Sequence, residues 1–360
     1  MTPETLRETG CKKLLVGMSG GLDSTYAAYY LKTNGFSVEG ACLCMTEAAD
    51  TAEAQRAAEQ VGIPLHILDA REAFSRFVQT PFAESYAHGE TPNPCVDCNR
   101  CVKIELLCRF AREHGFDHVS TGHYARILRD DLSGRYFVRR GTDHRKDQSY
   151  MLWRLTQEQL SMLVTPLWDM EKAEIRAEAA RLGFTSAKAK ESQDICFLPD
   201  GDYIPFVESR LGTFPPGDFI DETGRAVGRH AGIIRYTVGQ RKGLGIALGH
   251  PVFVTRIDPV RNTVHLAPSG MEYADTAAVR DPVFQKLSPE TLREGMRLRV
   301  KIRYAAQPAE AEVLTFADDR LTLRFAEPQR AVTPGQSAVF YGEGEDAEDI
   351  LLGGTITAEK

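Results

Sequence analysis

The stretch VGMSGGLDST, residues 16–25, decides the fold. It closes the apolar run KKLLVGM (12–18) and leads into STYAAYYLKTNG (24–35), which reads as a helix stopped at Asn34-Gly35. A glycine-rich turn between a strand and a helix lets backbone approach an anion, with loop and helix N–H groups aimed at it. Ser19, Ser24 and Thr25 add hydroxyl donors. Asp23 is the odd member, because a carboxylate repels phosphate unless it holds a cation or polarises a donor. The loop has neither the GKS or GKT of a Walker sequence nor a GxGxxG pattern.

Outward from this loop, strand-like and helix-like segments alternate. SVEGACLCM (37–45) and IPLHILDA (63–70) read as strands, and FDHVSTGHYARI (116–127) as one further strand. TAEAQRAAEQVG (51–62), most of REAFSRFVQTPFAESYAHG (71–89), NRCVKIELLCRFAREHG (99–115) and EKAEIRAEAARLG (171–183) read as helices. Such alternation predicts an α/β domain with a doubly wound parallel sheet over about 1–204. Near residue 205 glycine and proline become frequent and short alternating runs take over. We expect a small β segment at 205–275 and a C-terminal β-barrel at 276–360.

The 360 residues are 42% apolar and 26% charged, ordinary for a chain that builds its own core. No secretory signal is legible at the N-terminus, and no apolar run reaches the ~18 residues of a membrane span. A cytoplasmic protein without a membrane partner is expected, in which close-set cysteines point to metal or redox chemistry rather than to structural disulfides. The net charge of −7 argues against wholesale coating of nucleic acid, yet MRLRVKIRY (296–304) sets Arg297, Arg299, Lys301 and Arg303 two apart, a basic stripe suited to phosphates.

TPNPCVDCNRCVKI (91–104) spaces Cys95, Cys98 and Cys101 three residues apart, among eight cysteines in all. Cys101 and Cys108 recur with Ile104 and Ala111 at helical spacing and read as core. Cys42 and Cys44 share one face of a strand and also read as core. Zinc at Cys95, Cys98 and Cys101 lacks a second paired knuckle.

SGGLDS resembles the PP-loop of ATP pyrophosphatases, which split ATP between its α and β phosphates to activate an oxygen as an adenylate. Within that group, TPNPCVDCN (91–99), GHYAR (122–126), RKDQSYMLW (145–153), SQDICF (192–197), YTVGQRKGLGI (236–246) and TPGQSAVFY (333–341) resemble, in order, the tRNA-uridine 2-sulfurtransferase family. The resemblance implies ATP-dependent exchange of O2 for sulfur on the wobble uridine of tRNA. It implies ATP, with Mg²⁺, at Gly17, Met18, Ser19, Gly20, Gly21, Leu22, Asp23, Ser24, Leu43 and Gly122, with Asp23 catalytic. It implies tRNA contacts at His123, Lys146, Asp147, Gln148, Arg303, Tyr304 and Gln336. Cys196 matches the cysteine that receives persulfide sulfur, and Cys98 the nucleophilic or resolving thiol. Their transient disulfide is a plausible product. A place near the start of a helix capped by Asp97 or Asn99 would lower the Cys98 pKa.

The chain departs from the family at Cys95, where many members have Asp, and in a short segment between Met45 and Ala52. Two sulfur routes stay open: persulfide chemistry at Cys98 and Cys196, or a [4Fe–4S] cluster on Cys95, Cys98 and Cys196 whose fourth iron carries sulfide. The second is slightly favoured. The sulfur would come from a persulfide-carrier protein or from free sulfide. The alternative enzyme is a PP-loop ligase forming an amide or guanidine on a small substrate, which would need neither paired thiols nor a basic β domain. A nucleotide- or iron-binding sensor is the non-enzymatic alternative.

Overall fold

A computed structural model describes residues 3–47, 49–188, 195–198 and 200–358. Within the first part of the chain lie β1 (Lys13–Gly17), β2 (Ser37–Cys44), β3 (Leu65–Asp69), β4 (His118–Ser120), β5 (Ala125–Arg129), β6 (Tyr136–Arg140) and β7 (Leu163–Val164). Five of them form a wholly parallel sheet in the order β3-β2-β1-β4-β7. Leu14, Leu15 and Val16 of β1 are fully buried, which is why this central strand reads as an unbroken apolar run. The helix Leu22–Thr33 sends Ala27, Ala28 and Leu31 into the same core.

The strand order reverses at β1, with β2 and β3 on one side and β4 and β7 on the other. Open α/β sheets bind ligands at the carboxyl ends of the strands where this reversal falls. The glycine loop leaves β1 and the Gly122 loop leaves β4 at that point.

Three sequence expectations are corrected. FDHVSTGHYARI is not one strand. The chain leaves the sheet at Thr121, and Ala125 starts β5, which pairs antiparallel with β6 as a separate hairpin. TQEQLSML (156–163) reads as a helix, but its last residue, Leu163, joins Val164 in the fifth parallel strand. The helix expected from 99 already begins at Pro94, and residues Asn99–Lys103 within it take π-helical pairing before Ile104–Glu113 continues. Pro94 suits this start because its missing N–H lies where a helix leaves donors unpaired anyway.

The remaining strands pair mainly antiparallel. β8 (Gly217–Ile220), β9 (Ala226–His230), β10 (Val252–Asp258) and β11 (Thr263–Pro268) form a sheet in the order β10-β11-β8-β9, with β8 and β11 parallel. β12 (Tyr273–Phe284), β13 (Arg297–Lys301), β14 (Ala309–Ala317), β15 (Arg320–Arg330), β16 (Ser337–Tyr341) and β17 (Ile350–Thr357) close a barrel in the order β12-β15-β14-β13-β16-β17.

The chain divides into two compact units. Residues 79–94 group with the β-rich one, and 348–351 with the parallel-sheet one. The first grouping has a clear cause. The Thr91 N–H donates to the Pro334 carbonyl (2.8 Å), Gln336 Nε2 donates to the Thr91 carbonyl (2.7 Å), and Arg280 pairs with Glu90 (2.8 Å). Phe82 packs edge-on against Phe197 and Phe206 in the same unit. Residues 348–351 are held by a two-pronged ion pair of Arg139 with the fully buried Asp349, and by Arg140 with Glu348 (3.0 Å).

Candidate functional site

The loop after β1 folds on its own hydroxyls. Ser24 Oγ and Thr25 Oγ1 donate to the Gly21 carbonyl (3.2 and 2.8 Å), and the Gly21 N–H donates to Ser19 Oγ (3.4 Å). Gly21 caps Leu22–Thr33 with no side-chain hydrogen bond, so the helix start relies on other acceptors for its leading N–H groups. Gly20 has φ +80°, and a Cβ there would lie 2.6 Å from the Glu53 backbone. Gly122 is held against the other side, where a Cβ would meet the Asp23 backbone at 2.6 Å and the Ser24 nitrogen at 2.8 Å. These two glycines therefore fix the loop's shape by close packing. Met18 is buried, its sulfur against Gly40, and Gly17 ends β1. Leu22 is buried in the core and Leu43 is half-buried near the carboxyl end of β2.

The carboxylate of Asp23 is matched. Tyr124 Oη donates to Oδ1 at 2.8 Å, and the Lys172 ammonium donates to Oδ2 at 2.9 Å. Lys172 also lies 5.7 Å from the Tyr124 ring centroid. The sequence reading named neither Tyr124 nor Lys172. Tyr124 was within reach, since it lies inside GHYAR, but Lys172 sits 149 residues from Asp23 with no local signal.

The expected tRNA residues separate. His123 Nδ1 lies 2.8 Å from Thr121 Oγ1, and burial, then the Lys103 ammonium, pulls its pKa well below the ordinary imidazole value. Gln148 accepts from the Tyr124 N–H (3.1 Å), and Lys146 is half-buried in the turn before it. Asp147 is buried and turned inward. It accepts from Arg140 Nε, the Gly141 and Ser149 N–H groups and Ser149 Oγ, at 2.9 to 3.2 Å. Its carboxylate shapes the turn. Gln336 spends its amide on Thr91. Arg303 and Tyr304 are exposed beyond the end of β13, and Arg303 donates to the Arg330 carbonyl (3.1 Å).

The basic stripe is shorter than expected. β13 ends at Lys301, which is buried, so Arg303 is not on the strand. Arg297 and Arg299 stand directly opposite Glu312 and Glu310 of β14, and the stripe becomes a mixed-charge ladder.

Cys98 is also corrected. It lies at the fifth residue of the helix begun at Pro94, not at its start, and is 4% exposed. Asp97 pairs with Arg154, and Asn99 Nδ2 donates to the Met151 carbonyl (3.1 Å), so neither caps a helix. Cys95, one residue into the helix, is exposed. Burial, with Asp97 next, raises the pKa of half-buried Cys101, and burial pushes Cys108, a core thiol, up to about 12. Cys42 is buried and its pKa is likewise raised by burial. Cys196 is exposed, followed by Phe197 packed on Phe206 with centroids 5.0 Å apart. Ser192, Gln193 and Asp194 of its motif lie outside the described residues. Among the described residues no three Cys, His, Asp or Glu side chains are placed to share a metal ion.

A parallel sheet carrying a glycine loop at its switch point, continued by a small sheet and a closed barrel, defines the class: a HUP-domain protein with two C-terminal β modules. Family models match in that order, described as a tRNA methyl transferase HUP domain (residues 12–200), a tRNA methyl transferase PRC-barrel domain (204–268) and an aminomethyltransferase β-barrel domain (274–357). The tRNA-specific 2-thiouridylase MnmA of Acetivibrio thermocellus is 42% identical, over 96% of this chain and 99% of its own length. That of Clostridioides difficile is 40% identical, over 96% and 98%. The chain belongs to the tRNA-specific 2-thiouridylase family. Among solved structures, NMN synthetase from Francisella tularensis is similar at TM-score 0.36 and 14% identity, over 58% of this chain and 81% of that one. No described helix is long and apolar enough to cross a membrane.

Proposed function

We propose that the chain uses ATP to adenylate O2 of the wobble uridine in tRNA and then replaces that oxygen with sulfur. The observation that carries this is the SGGLDS loop at the sheet's switch point in a chain that is similar to a 2-thiouridylase over 96% of its length. The description of the family models speaks of methyl transfer, but exposed Cys196 and the cysteine-bearing helix favour sulfur chemistry. Division into 1–204, 205–275 and 276–360 assigns adenylation to the first part and tRNA binding to the last.

The loop N–H groups, Ser19 and Ser24 would hold the triphosphate, which would bring its Mg²⁺ with it, while both Asp23 oxygens are engaged by Tyr124 and Lys172. Uracil O2 attacks the α-phosphorus, the α–β phosphoanhydride breaks, and pyrophosphate leaves. The terminal sulfur of a Cys196 persulfide then attacks C2, and AMP departs with the former O2. The Cys98 thiolate attacks the Cys196 sulfur, releasing the thiolated base and leaving a Cys98–Cys196 disulfide for an external thiol to reduce. Cys98 is buried at rest, and the π-helical turn that follows it is a natural place for the helix to change register. The buried Cys98 and exposed Cys95 do not form a ready cluster site, so no step is routed through [4Fe–4S]. Arg303 and Tyr304 supply an exposed cation and ring suited to backbone and unstacked base. The persulfide comes from a carrier protein in the cytoplasm.

The test is incubation with tRNA, ATP and a persulfide donor, reading pyrophosphate and the mass of 2-thiouridine. Both products are expected, each dependent on ATP and tRNA. A wild-type protein that forms neither overturns the reading.

A further inference from the structure

A triphosphate drawn to the N–H groups of Leu22–Thr33 meets the Asp23 carboxylate in that helix's first turn. Left bare, this charge would oppose the binding that the loop favours. It is not bare, because Lys172 and Tyr124 each donate to one of its oxygens. Lys172 occupies the first position of the helix Lys172–Arg181. A cation there forfeits the favourable dipole interaction that an acidic residue would gain. The side chain instead reaches across to the glycine loop and rests by the Tyr124 ring. Both ends of the pair keep some surface, 16% for the Lys172 side chain and 26% for that of Asp23, so a ligand can reach them. An ammonium can donate to several acceptors at once and can bridge a carboxylate and a phosphate without leaving either.

We propose that Lys172 is a nucleotide-binding residue whose ammonium is shared between Asp23 and the phosphate chain of ATP. This rests on reading the loop as an ATP site, and deepens it. Asp23 and Tyr124 hold the cation in place at the loop before ATP arrives. The phosphate charge then falls on a group already desolvated on the protein side, which limits the ordering cost of binding.

The experiment is ATP calorimetry on the full chain, alongside tRNA-dependent pyrophosphate release with separate KM and kcat. Lys172→Met is expected to weaken ATP binding and raise KM for ATP by about tenfold or more, with tRNA affinity unchanged. Lys172→Arg restores part of the loss. The double variant Asp23→Asn, Lys172→Met separates direct contact from mere cancellation of charge. Its ATP affinity stays weak if Lys172 touches phosphate. Lys172→Gln gives the same comparison should Lys172→Met not fold, as judged by melting. ATP affinity within twofold of wild type for the uncharged variants overturns the proposal, as does full recovery in the double variant. A wild type that binds ATP but releases no pyrophosphate with tRNA defeats the adenylation reading alone, because calorimetry still judges Lys172. A wild type that binds no ATP overturns both.

Discussion

The glycine loop and the basic strand both set charge on a short segment, and tertiary pairing treats them in opposite ways. In the loop, a carboxylate that spoils an anion site is matched by Lys172 and Tyr124, and the helix N-terminus and hydroxyls are left to set the local preference. On β13, arginines that would make an anion site stand opposite Glu312 and Glu310 in strand register, where the opposite charges offset each other. A count of charges along the sequence omits these cross-fold partners. The partners that survive pairing across the fold set the preference.

The contrast implies a loop intolerant of change and a strand that absorbs it. The chemistry itself should give the largest effect. Cys196→Ser is expected to cut 2-thiouridine formation by about a thousandfold or more while tRNA-dependent pyrophosphate release continues. Loss of both products together would tie Cys196 to nucleotide binding instead. Next come the packing glycines. Gly20→Ala and Gly122→Ala each force a methyl against backbone and should lower stability by about 1–3 kcal/mol, read by urea unfolding. Unchanged midpoints would mean that the loop is not held as described.

A smaller effect should appear with pH. Burial and Lys103 lower the folded-state pKa of His123, whereas the unfolded chain takes up its proton near the ordinary imidazole value. The stabilisation is therefore complete above that value and declines as the pH falls through it toward the folded pKa. Melting curves of His123→Gln should show a shallower loss of stability with acid than wild type, although His118, His230 and His265, also shifted down by burial, keep part of the slope. Identical slopes would place His123 in water. The smallest change is expected from Arg297→Gln. Affinity for tRNA should move by less than about twofold, and the salt slope by well under one unit. A drop of a full unit would restore the basic stripe and break the comparison.

How legible each feature was follows from how local its cause is. The parallel sheet was readable because Leu14, Leu15 and Val16 on a doubly covered strand must all be apolar. The barrel was readable from short alternating runs. The break at Thr121 was not, because Gly122 beside it packs on Asp23, in the first turn of a helix about a hundred residues away. Asp147 and Gln148 stand side by side in sequence, yet the first turns inward to Arg140 and Ser149 while the second ties to Tyr124. The Asp147–Ser149 pairing is a local Asx-type turn, but the tie of Gln148 to Tyr124 has no local signature. Cys98 was expected near a helix start because Asp97 and Asn99 are good caps, but each found a partner on residues 151–154 and the helix started a turn earlier at Pro94.

The amino-acid order by itself determined most of the elements, the glycine loop and which thiols were candidates, since propensity, periodicity and motif act over a few residues. Only the tertiary structure decided which charges survive as charges, which thiols meet solvent and which glycines shape the loop. Those depend on partners far away in the chain, brought close by the same burial of apolar surface that makes the fold.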